Sequence, residues 1–365
     1  MLKPGIRLLL ESQDISADIV PDLIDLEYNN EGDNASTLRI IVRSSPNVFN
    51  KSWIPKPLQY IKCEFFYIGD AAKLNAGNFQ VESVREKIGN NYDVIEINAI
   101  SVPIIGRIFE KKNLSFKGVT LESILRDKAL GLRLSPKIQV PELFVNVEQQ
   151  EQSDLEFLRM IAGQWGLNFT IDNGSLVMAG DAYFRTIPPI LTLTRANYKT
   201  LDLEHSGYNT YSDCRVSYTW LGEEKELTVK DWAVFTDNLV SLRPGRRLNH
   251  EMLFPIVSPY HAAYAGLEKL IKVNNGQIKG SLTSIGRAEL VAFNNITLLG
   301  NRFNGNYQIE TATHRFNSDG WQCDCKVKWL PVRAGDVQFT WYDMLEIARG
   351  SIGGFGIDIP GIPGI

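Results

Sequence analysis

The strongest chemical candidate in the sequence is a pair of thiols, Cys323 and Cys325, with one residue between them. Side chains two residues apart in a strand point to the same face, so this pair could supply two ligands to a metal ion. A metal site needs further ligands at suitable spacing, and the only nearby histidine is His314. Four cysteines in 365 residues are too few and too scattered for a disulfide scaffold. We therefore expect no metal site and interpret the thiols as reduced core residues.

Motifs for catalysis are scarce in the rest of the chain. His205, His250 and His261 fall in separate segments, without the one-turn spacing of metalloprotease histidines. The sequence has no Gly-x-Ser-x-Gly elbow, no phosphate-binding Gly-x-x-x-x-Gly-Lys loop and no Rossmann glycine pattern. The acidic pair Glu223-Glu224 lies in a charged stretch that predicts a solvated hairpin. We expect no enzyme activity and no cofactor. Because glycosidase carboxylates can lie far apart in sequence, a glycan hydrolase stays open as an alternative.

Charge and composition narrow the classes of partner. The formal net charge of -4 argues against specific nucleic-acid binding, which needs a basic face. A hydrophobic content of 44% with 22% charged residues is typical of a globular protein with a substantial core. The apolar run after Met1 ends at Glu11, too short for a signal peptide or a membrane span. We expect no membrane span and synthesis in the cytoplasm.

An eight-residue phrase occurs twice, and each copy lies between segments that are predicted to be β-strands. Gly77–Val84 returns 228 positions later as Gly305–Ala312, and every substitution keeps its chemical class. Each copy follows an apolar strand and precedes an alternating strand, and the alignment puts one extra residue in the second downstream turn. We interpret the repeat as two copies of one β-domain. The structural motif residues are Gly77, Asn78, Phe79, Gly305, Asn306 and Tyr307, with both glycines predicted as turn residues of positive φ.

The predicted fold is mainly β with α+β insertions. We expect two tube-like antiparallel β-barrel domains, a helical and mixed domain between them, and a C-terminal helix followed by an apolar tail. The predicted segments are a first barrel over 1–105, a middle domain over 106–188, a second barrel over 189–335 with a helical insertion near 245–275, and a C-terminal helix and tail over 336–365.

Helix signals concentrate in the middle segment. Thr120 is the predicted N-cap of a helix that stops at Gly131. Ser153 and Glu156 form a predicted capping box, and Gly166 is the predicted stop of that second helix. A tight hairpin at Asn173-Gly174 and a helix over about 261–271 complete the pattern.

The C-terminus is the segment that we expect to dock on a partner. Gly350 to Ile365 contains six glycines and two prolines among apolar side chains. Burying those side chains yields roughly 1.5 to 3 kcal/mol each, which the cost of fixing the backbone nearly cancels. The tail should therefore need a partner to become ordered. The candidate docking residues are Trp341, Tyr342, Ile352, Phe355, Ile357, Ile359 and Ile362.

These patterns together resemble a known family, the phage late control D proteins. Those proteins are baseplate hubs of contractile tails, related to the hub half of the valine-glycine repeat proteins of type VI secretion. The residues that carry the resemblance are Gln152–Arg159, Trp165–Phe169, Gly174–Leu176, Gly305–Tyr307, His314 and the strand from Trp321.

The resemblance implies a homotrimer with two barrels per chain, so that six similar barrels form a ring. Such a ring joins a sixfold tail tube, or its initiator protein, to a threefold spike. The chain departs from the secretion-system relatives in having no room for a neck domain or a β-helical needle, so we expect the trimeric spike to be a separate polypeptide. A tape-measure protein is a further expected partner. The resemblance also implies synthesis in the bacterial host's cytoplasm and assembly into a phage baseplate, a tailocin or another injection particle.

Two alternatives from other classes remain. A baseplate-associated peptidoglycan hydrolase predicts lysis of cell-wall substrate, whereas a hub predicts none. A stand-alone carbohydrate-binding β-protein predicts a monomer with an aromatic groove, whereas a hub predicts a trimer.

Overall fold

A computed structural model describes residues 3–44, 53–89, 93–102, 110–207, 210–230 and 246–331. The predicted C-terminal helix and tail, with all seven candidate docking residues, lie outside the described residues. The described chain is mainly β, and most of its strand pairs are antiparallel.

The first copy of the repeat lies in an antiparallel set of strands. Alternating side chains of these strands are buried, which is the pattern of a sheet with one face on a core. A short helix, α1 (Ser16–Ile19), and a 3-10 turn (Val20–Asp22) connect the second strand to the third. The strands are β1 (Pro4–Leu10), β2 (Gln13–Asp14), β3 (Leu23–Glu31), β4 (Thr37–Arg43), β5 (Tyr60–Tyr67), β6 (Lys73–Ile88) and β7 (Asp93–Ile100).

The middle segment mixes helices with two small sheets. One sheet is a single antiparallel pair formed by the first and third strands of the segment. The other has three strands, joined by one parallel and one antiparallel pair. In order, the elements are β8 (Lys112–Thr120), α2 (Leu121–Gly131), β9 (Ser135–Gln139), β10 (Phe144–Gln152), α3 (Asp154–Trp165), β11 (Leu167–Asp172), β12 (Ser175–Gly180) and α4 (Asp181–Thr186).

The predicted helix ends in this segment are confirmed. The Thr120 side chain accepts a hydrogen bond from the Ser123 N–H at the start of α2. At the start of α3 both bonds of the Ser153/Glu156 capping box form, at 3.3 and 2.8 Å. Gly166 ends α3 in the left-handed conformation, with φ 67°. These local signals needed no tertiary information.

The second copy carries an insertion. A small sheet and a long helix stand between its second and third strands. In order, the elements are β13 (Leu191–Leu193), β14 (Tyr198–His205), β15 (Asp213–Trp220), β16 (Glu223–Val229), β17 (Arg247–Glu251), α5 (Pro259–Asn275), β18 (Ile278–Ile285), β19 (Asn295–Leu298), β20 (Gly305–Asn317) and β21 (Gly320–Leu330). The helix predicted over 261–271 is therefore present and longer. The start of the predicted helical insertion is a strand instead, because β17 pairs with β15 in parallel.

Strand order confirms the duplication. In the first copy, hydrogen-bonded neighbours follow the order β3-β4-β7-β6-β5-β1. In the second copy the order is β14-β18-β21-β20-β19-β13, which is the same order for strands that correspond in sequence. One pair differs in direction, since β1 is antiparallel to β5 whereas β13 is parallel to β19. The two copies thus share one strand arrangement.

The register is duplicated as well. Gln80 stands opposite Ile100 in the first copy, and Gln308 stands opposite Lys328 in the second, 228 positions later on both strands. The offset is unchanged across the turn, so the extra turn residue expected from the sequence alignment is wrong. A bulge falls at the phrase glutamate of each copy, between Val81 and Ser83 and at the equivalent point of β20.

The copies are joined in one sheet. The second half of β20 pairs with β3, so that the main 13-stranded sheet runs through both copies. Among the described residues, no ladder closes either copy into a barrel. The two separate barrels expected from the sequence are thus replaced, within one chain, by a shared open sheet.

A separate core holds the middle segment and the insertion together. Buried side chains from α2, α3 and α5 form one cluster with those of β15, as in Ile124, Phe157, Leu267 and Val216. The two copies have clusters of their own. The insertion therefore packs on the middle segment and not only on the copy that carries it.

Candidate assembly site

The repeated phrase forms the same local structure in both copies. Phe79 and Tyr307 are fully buried, and the glutamine that follows each of them is buried too. The glutamates at the bulges, Glu82 and Glu310, are exposed. The phrase thus places one aromatic side chain in a core and one carboxylate on the surface at quasi-equivalent positions.

The asparagines of the phrase differ in their contacts. Asn306 accepts a hydrogen bond from the Thr297 hydroxyl at 2.8 Å on the neighbouring strand. Asn78 stands opposite Lys62 in the first copy and is exposed. The asparagine therefore braces a strand pair in the second copy, whereas its counterpart lies at the surface.

The two phrase glycines also differ. Gly77 has φ 95°, as predicted, and it lies within β6 rather than in a turn. A Cβ at Gly77 would stand 2.7 Å from the Asn173 Cα, so the missing side chain lets the hairpin of β11 and β12 (the middle hairpin) approach β6. The prediction of positive φ was wrong for Gly305, which begins β20 outside the left-handed region. Gly305 instead leaves room for the Trp329 ring, whose Nε1 a Cβ would approach to 3.3 Å.

Two non-glycine residues with positive φ lie beside the phrase strands, one in each copy. Leu58 has φ 74° and Phe293 has φ 69°, and their N–H groups donate to the carbonyls of Val81 and Ile309, respectively. Such a conformation is rare for a non-glycine residue. In each copy the chain turns away there from the phrase strand, which leaves the second half of that strand open to another neighbour. In the second copy, β3 occupies that place.

The junction between β3 and β20 has polar contacts on the solvent face of the sheet and aromatic contacts on the core face. Arg315 donates to Glu27 at 3.0 Å, and the Thr313 hydroxyl donates to Asn29 at 3.0 Å. On the core face, the rings of His314 and Tyr28 stack with centroids 5.8 Å apart. The junction is therefore a complete cross-strand interface, with packing on one face and charge pairing on the other.

His314 has a structural role in this junction. Its Nε2 lies 2.8 Å from the Leu290 carbonyl, and its Nδ1 accepts from the Trp321 indole at 3.1 Å. These partners fix the tautomer with the proton on Nε2. Burial lowers the pKa of His314 to about 4, so the ring is neutral at physiological pH.

The two candidate thiols lie beside this histidine. The Cys323 and Cys325 Sγ atoms are 3.5 Å apart, and both side chains are buried. Burial raises the pKa of the Cys323 thiol well above its ordinary value, which suppresses the thiolate that metal binding requires. Among the described residues, no group of three or more His, Cys, Asp or Glu side chains is placed to hold a metal. The prediction of two core thiols is confirmed.

The hairpin of β11 and β12 joins the middle segment to the first copy through hydrogen bonds. The Tyr28 hydroxyl donates to Asp172 at 2.9 Å, and the Ser101 hydroxyl donates to the Ile171 carbonyl at 2.6 Å. Burial raises the pKa of Asp172. The tip of this hairpin is the Asn173 that contacts Gly77, so the repeated phrase helps to seat the middle segment.

A buried ion pair holds the middle segment to the second copy. Lys328 of β21 donates to both carboxylate oxygens of Asp181 at 3.0 Å, and both side chains are almost completely buried. Asn168 and Asn275 also donate to this carboxylate, at 2.6 and 3.2 Å. Burial alone would raise the pKa of Asp181, but the positive charge of Lys328 holds it below its ordinary value. The pair is therefore ionised and well satisfied.

Glu268 of α5 completes this polar cluster. Its Oε2 accepts from the Ala182 N–H at 3.1 Å. Burial raises the pKa of Glu268 to about 8, and the charge of Asp181 adds to the effect. The carboxyl lies against Gly180, where a Cβ would come within 2.2 Å of it. A side chain at that position would displace the Glu268 carboxyl from its present place.

A groove lies beside the junction. Its volume is about 610 Å³, and its lining includes Lys137, Asp172, Phe184 and Phe293. The two phenylalanine rings stack on each other with centroids 5.0 Å apart, and so they share a face instead of presenting both to the groove.

Sequence reasoning missed the polar cluster. Asp181, Glu268 and Lys328 are separated by up to 147 residues and belong to no motif. The available signal was weak: Lys328 lies between Val327 and Trp329, in a strand that also carries Asp324 and Lys326. Among the residues described, no helix combines the length and the apolar character that crossing a membrane requires.

Comparison with solved structures identifies the fold. A tail protein from Neisseria meningitidis aligns with a TM-score of 0.62 at 14% identity, over 90% of this chain and 98% of its own. The chain shares the fold of that tail protein. A 43 kDa tail protein of prophage MuSo2 from Shewanella oneidensis shares this tail-protein fold, with a TM-score of 0.63 at 13% identity over 91% of this chain and 98% of its own.

A secretion-system protein is also similar in structure. An Escherichia coli component of the type VI secretion system, described as similar to the T4 tail proteins gp27 and gp5, aligns with a TM-score of 0.52 at 12% identity. That alignment covers 86% of this chain and 74% of the other. No protein-family model and no curated protein sequence matches the chain.

Proposed function

We propose that the chain is the baseplate hub of a contractile tail or related injection particle. In this role it is a trimeric adapter that joins a hexameric tail tube to a trimeric spike. The observation that carries the proposal is the duplicated strand order and register, with both copies joined in one sheet. Three chains of this kind contain six similar copies, which suit a closed ring. The tail-protein fold supports the same setting.

The differences between the copies suit the change of symmetry. The shared strands repeat twice per chain and can imitate sixfold symmetry in a trimer. The insertion of β15, β16, β17 and α5 occurs once per chain, as does the middle segment, so both follow threefold symmetry. We infer that the tube contacts the shared strands and that the spike contacts the elements present once. The tube shape predicted for each barrel is then a property of the assembled ring.

The proposed role requires several partners. The partners are two further copies of this chain, a separate trimeric spike, the tail tube or its initiator, and the tape-measure protein. The chain is made in the host cytoplasm and assembled into the particle. We keep the division at 105, 188 and 335 as proposed domain boundaries. The chain acts by fit and not by catalysis, without cofactor, metal or specific nucleic-acid binding.

The C-terminal tail is proposed to attach the spike or a neighbouring hub. Its apolar residues, with Trp341 and Tyr342, are the proposed docking side chains. Deletion of residues 350–365 should abolish or weaken spike attachment in a co-purification assay while the trimer is retained. Unchanged attachment would refute this role.

Solution mass is the direct test of the hub proposal. Light scattering should give the mass of three chains of 41.1 kDa, alone or after addition of the spike. A strict monomer that does not respond to the spike would contradict the proposal. A turbidity assay on peptidoglycan should show no lysis, and lysis would favour the hydrolase alternative.

A further inference from the structure

The chain contains one complete copy-to-copy junction and the two halves of a second one. The complete junction joins β3 to the second half of β20. By strand order, β14 is the counterpart of β3, and the second half of β6 is the counterpart of the second half of β20. In the described part of the chain, two strand edges pair with no strand. One is the outer edge of β14. The other is the edge of β6 after Val81, on the side that faces away from β7.

We propose that these two edges pair between neighbouring copies of this chain, in the register that the internal junction dictates. The inference rests on the proposed function, because it describes how three chains close the ring. It adds the interface itself: β14 of one chain lies antiparallel to residues 83–88 of the next.

The register follows from the ladders. A bulge follows Leu23 in β3 where it pairs with β4, and a bulge follows Tyr198 in β14 where it pairs with β18. Glu27 therefore corresponds to Asp202. On the other strand, Arg315 corresponds to Lys87, with the constant offset of 228. The internal pair of Arg315 and Glu27 thus predicts a pair of Lys87 with Asp202 of the next chain.

Charge complementarity supports this register independently of the strand order. Arg85 lies two residues before Lys87 on the same face of β6, and the same register predicts that it stands opposite Glu204. The surface edge of β6 thus presents two cations and that of β14 presents two anions, each cation opposite an anion. All four side chains are exposed in the single chain. A register shifted by one residue would lose both pairs, because neighbouring side chains point to opposite faces.

On the core face the same register predicts one apolar pair. Ile88 is 75% exposed in the single chain, although it corresponds to Phe316 of the internal junction. Its predicted partner is Leu201 of the neighbouring chain, which corresponds to Leu26. The second junction would give this exposed isoleucine an apolar cross-strand neighbour.

The intrachain neighbours of Arg315 and of its counterpart Lys87 also correspond. Arg315 lies 3.8 Å from Asp324 on β21, and Lys87 pairs with Glu96 at the corresponding place on β7. In the internal junction, Arg315 bonds its own neighbour and the other copy at the same time. Lys87 is therefore placed to bridge Glu96 and an anion of the next chain.

Paired cysteines test the register. The double variant Arg85→Cys with Glu204→Cys, treated with the thiol oxidant diamide, should form disulfides between chains that appear as covalent dimers and trimers on a non-reducing gel. The matched control is Arg85→Cys with Leu203→Cys, which moves the second thiol to the opposite face. The control should give little cross-linking. The native cysteines among the described residues are buried.

Charge reversal gives a second readout. Arg85→Glu and Glu204→Arg should each weaken the trimer at least several-fold in sedimentation, and the two together should restore most of the loss. A trimer with no cross-link in the 85/204 variant, or with equal cross-linking in the control, would overturn the proposed register while the hub function stands. A chain that stays monomeric with and without spike would overturn both.

Discussion

The protonation of Glu268 gives a prediction with a defined pH dependence. Burial raises the pKa of this carboxyl from 4.5 to about 8, so the folded state keeps a proton that the unfolded state releases. The folded state then loses stability as pH rises from the unfolded pKa to the folded one. At pH 7 the loss is about 3.5 kcal/mol, from about 1.4 kcal/mol per pH unit over two and a half units.

Replacing Glu268 with glutamine removes the titration while preserving shape. The glutamine oxygen can still accept from the Ala182 N–H. The difference in unfolding free energy, variant minus parent, should therefore increase with pH between 4.5 and 8 by about 1.4 kcal/mol per unit and then level off. Because only the difference is used, the titration of buried histidines cancels.

Urea unfolding followed by tryptophan fluorescence, at fixed ionic strength and pH 4.5, 6, 7 and 8, measures this difference. The control is Glu224→Gln, which removes the same charge from an exposed position of β16 and should change stability by less than about 0.5 kcal/mol at every pH. A Glu268→Gln difference that stays constant across this range would refute the reasoning, since it would mean that the buried carboxyl ionises normally. A difference that decreases with pH would mean that the anion is stabilised.

Three further changes test packing, each by the shift of the urea midpoint. Lys328→Met should cost about 3 to 5 kcal/mol because it strands the Asp181 carboxylate, and adding Asp181→Leu should recover part of the loss; a milder single variant would contradict a buried ion pair. Gly77→Ala should cost more than about 1 kcal/mol through positive φ and the Asn173 contact, whereas Gly163→Ala, with open space in α3, should stabilise by about 0.5 to 1 kcal/mol; equal effects would count against the close approach. Ser153→Ala should cost about 1 kcal/mol, and no change would show that the capping box is not needed.

Local features were predictable from the sequence. The capping box of Ser153, the left-handed stop at Gly166 and the turn at Asn173-Gly174 depend on neighbours within a few residues. The duplication was visible because both copies keep the side-chain pattern that one strand arrangement requires. The thiols of Cys323 and Cys325 were placed in a core by strand alternation alone.

Features that join distant segments were not predictable. The junction that replaces two closed barrels brings Thr313 to Asn29, 284 residues away, and no local pattern encodes which edge meets which. Gly305 was assigned positive φ by analogy with Gly77, but only Gly77 faces the middle hairpin. The ion pair of Asp181 and Lys328 likewise depends on how the middle segment seats on the second copy.

The central claim is that the two copies occupy alternating, quasi-equivalent places in a ring of six. A cryo-electron microscopy reconstruction of the assembled particle, or of the purified hub, tests it most directly. The account predicts three chains whose six copies form a continuous ring, with β3·β20 junctions alternating with β14·β6 junctions between chains. A ring with any other number of chains, or three chains that do not meet through these strands, would contradict it.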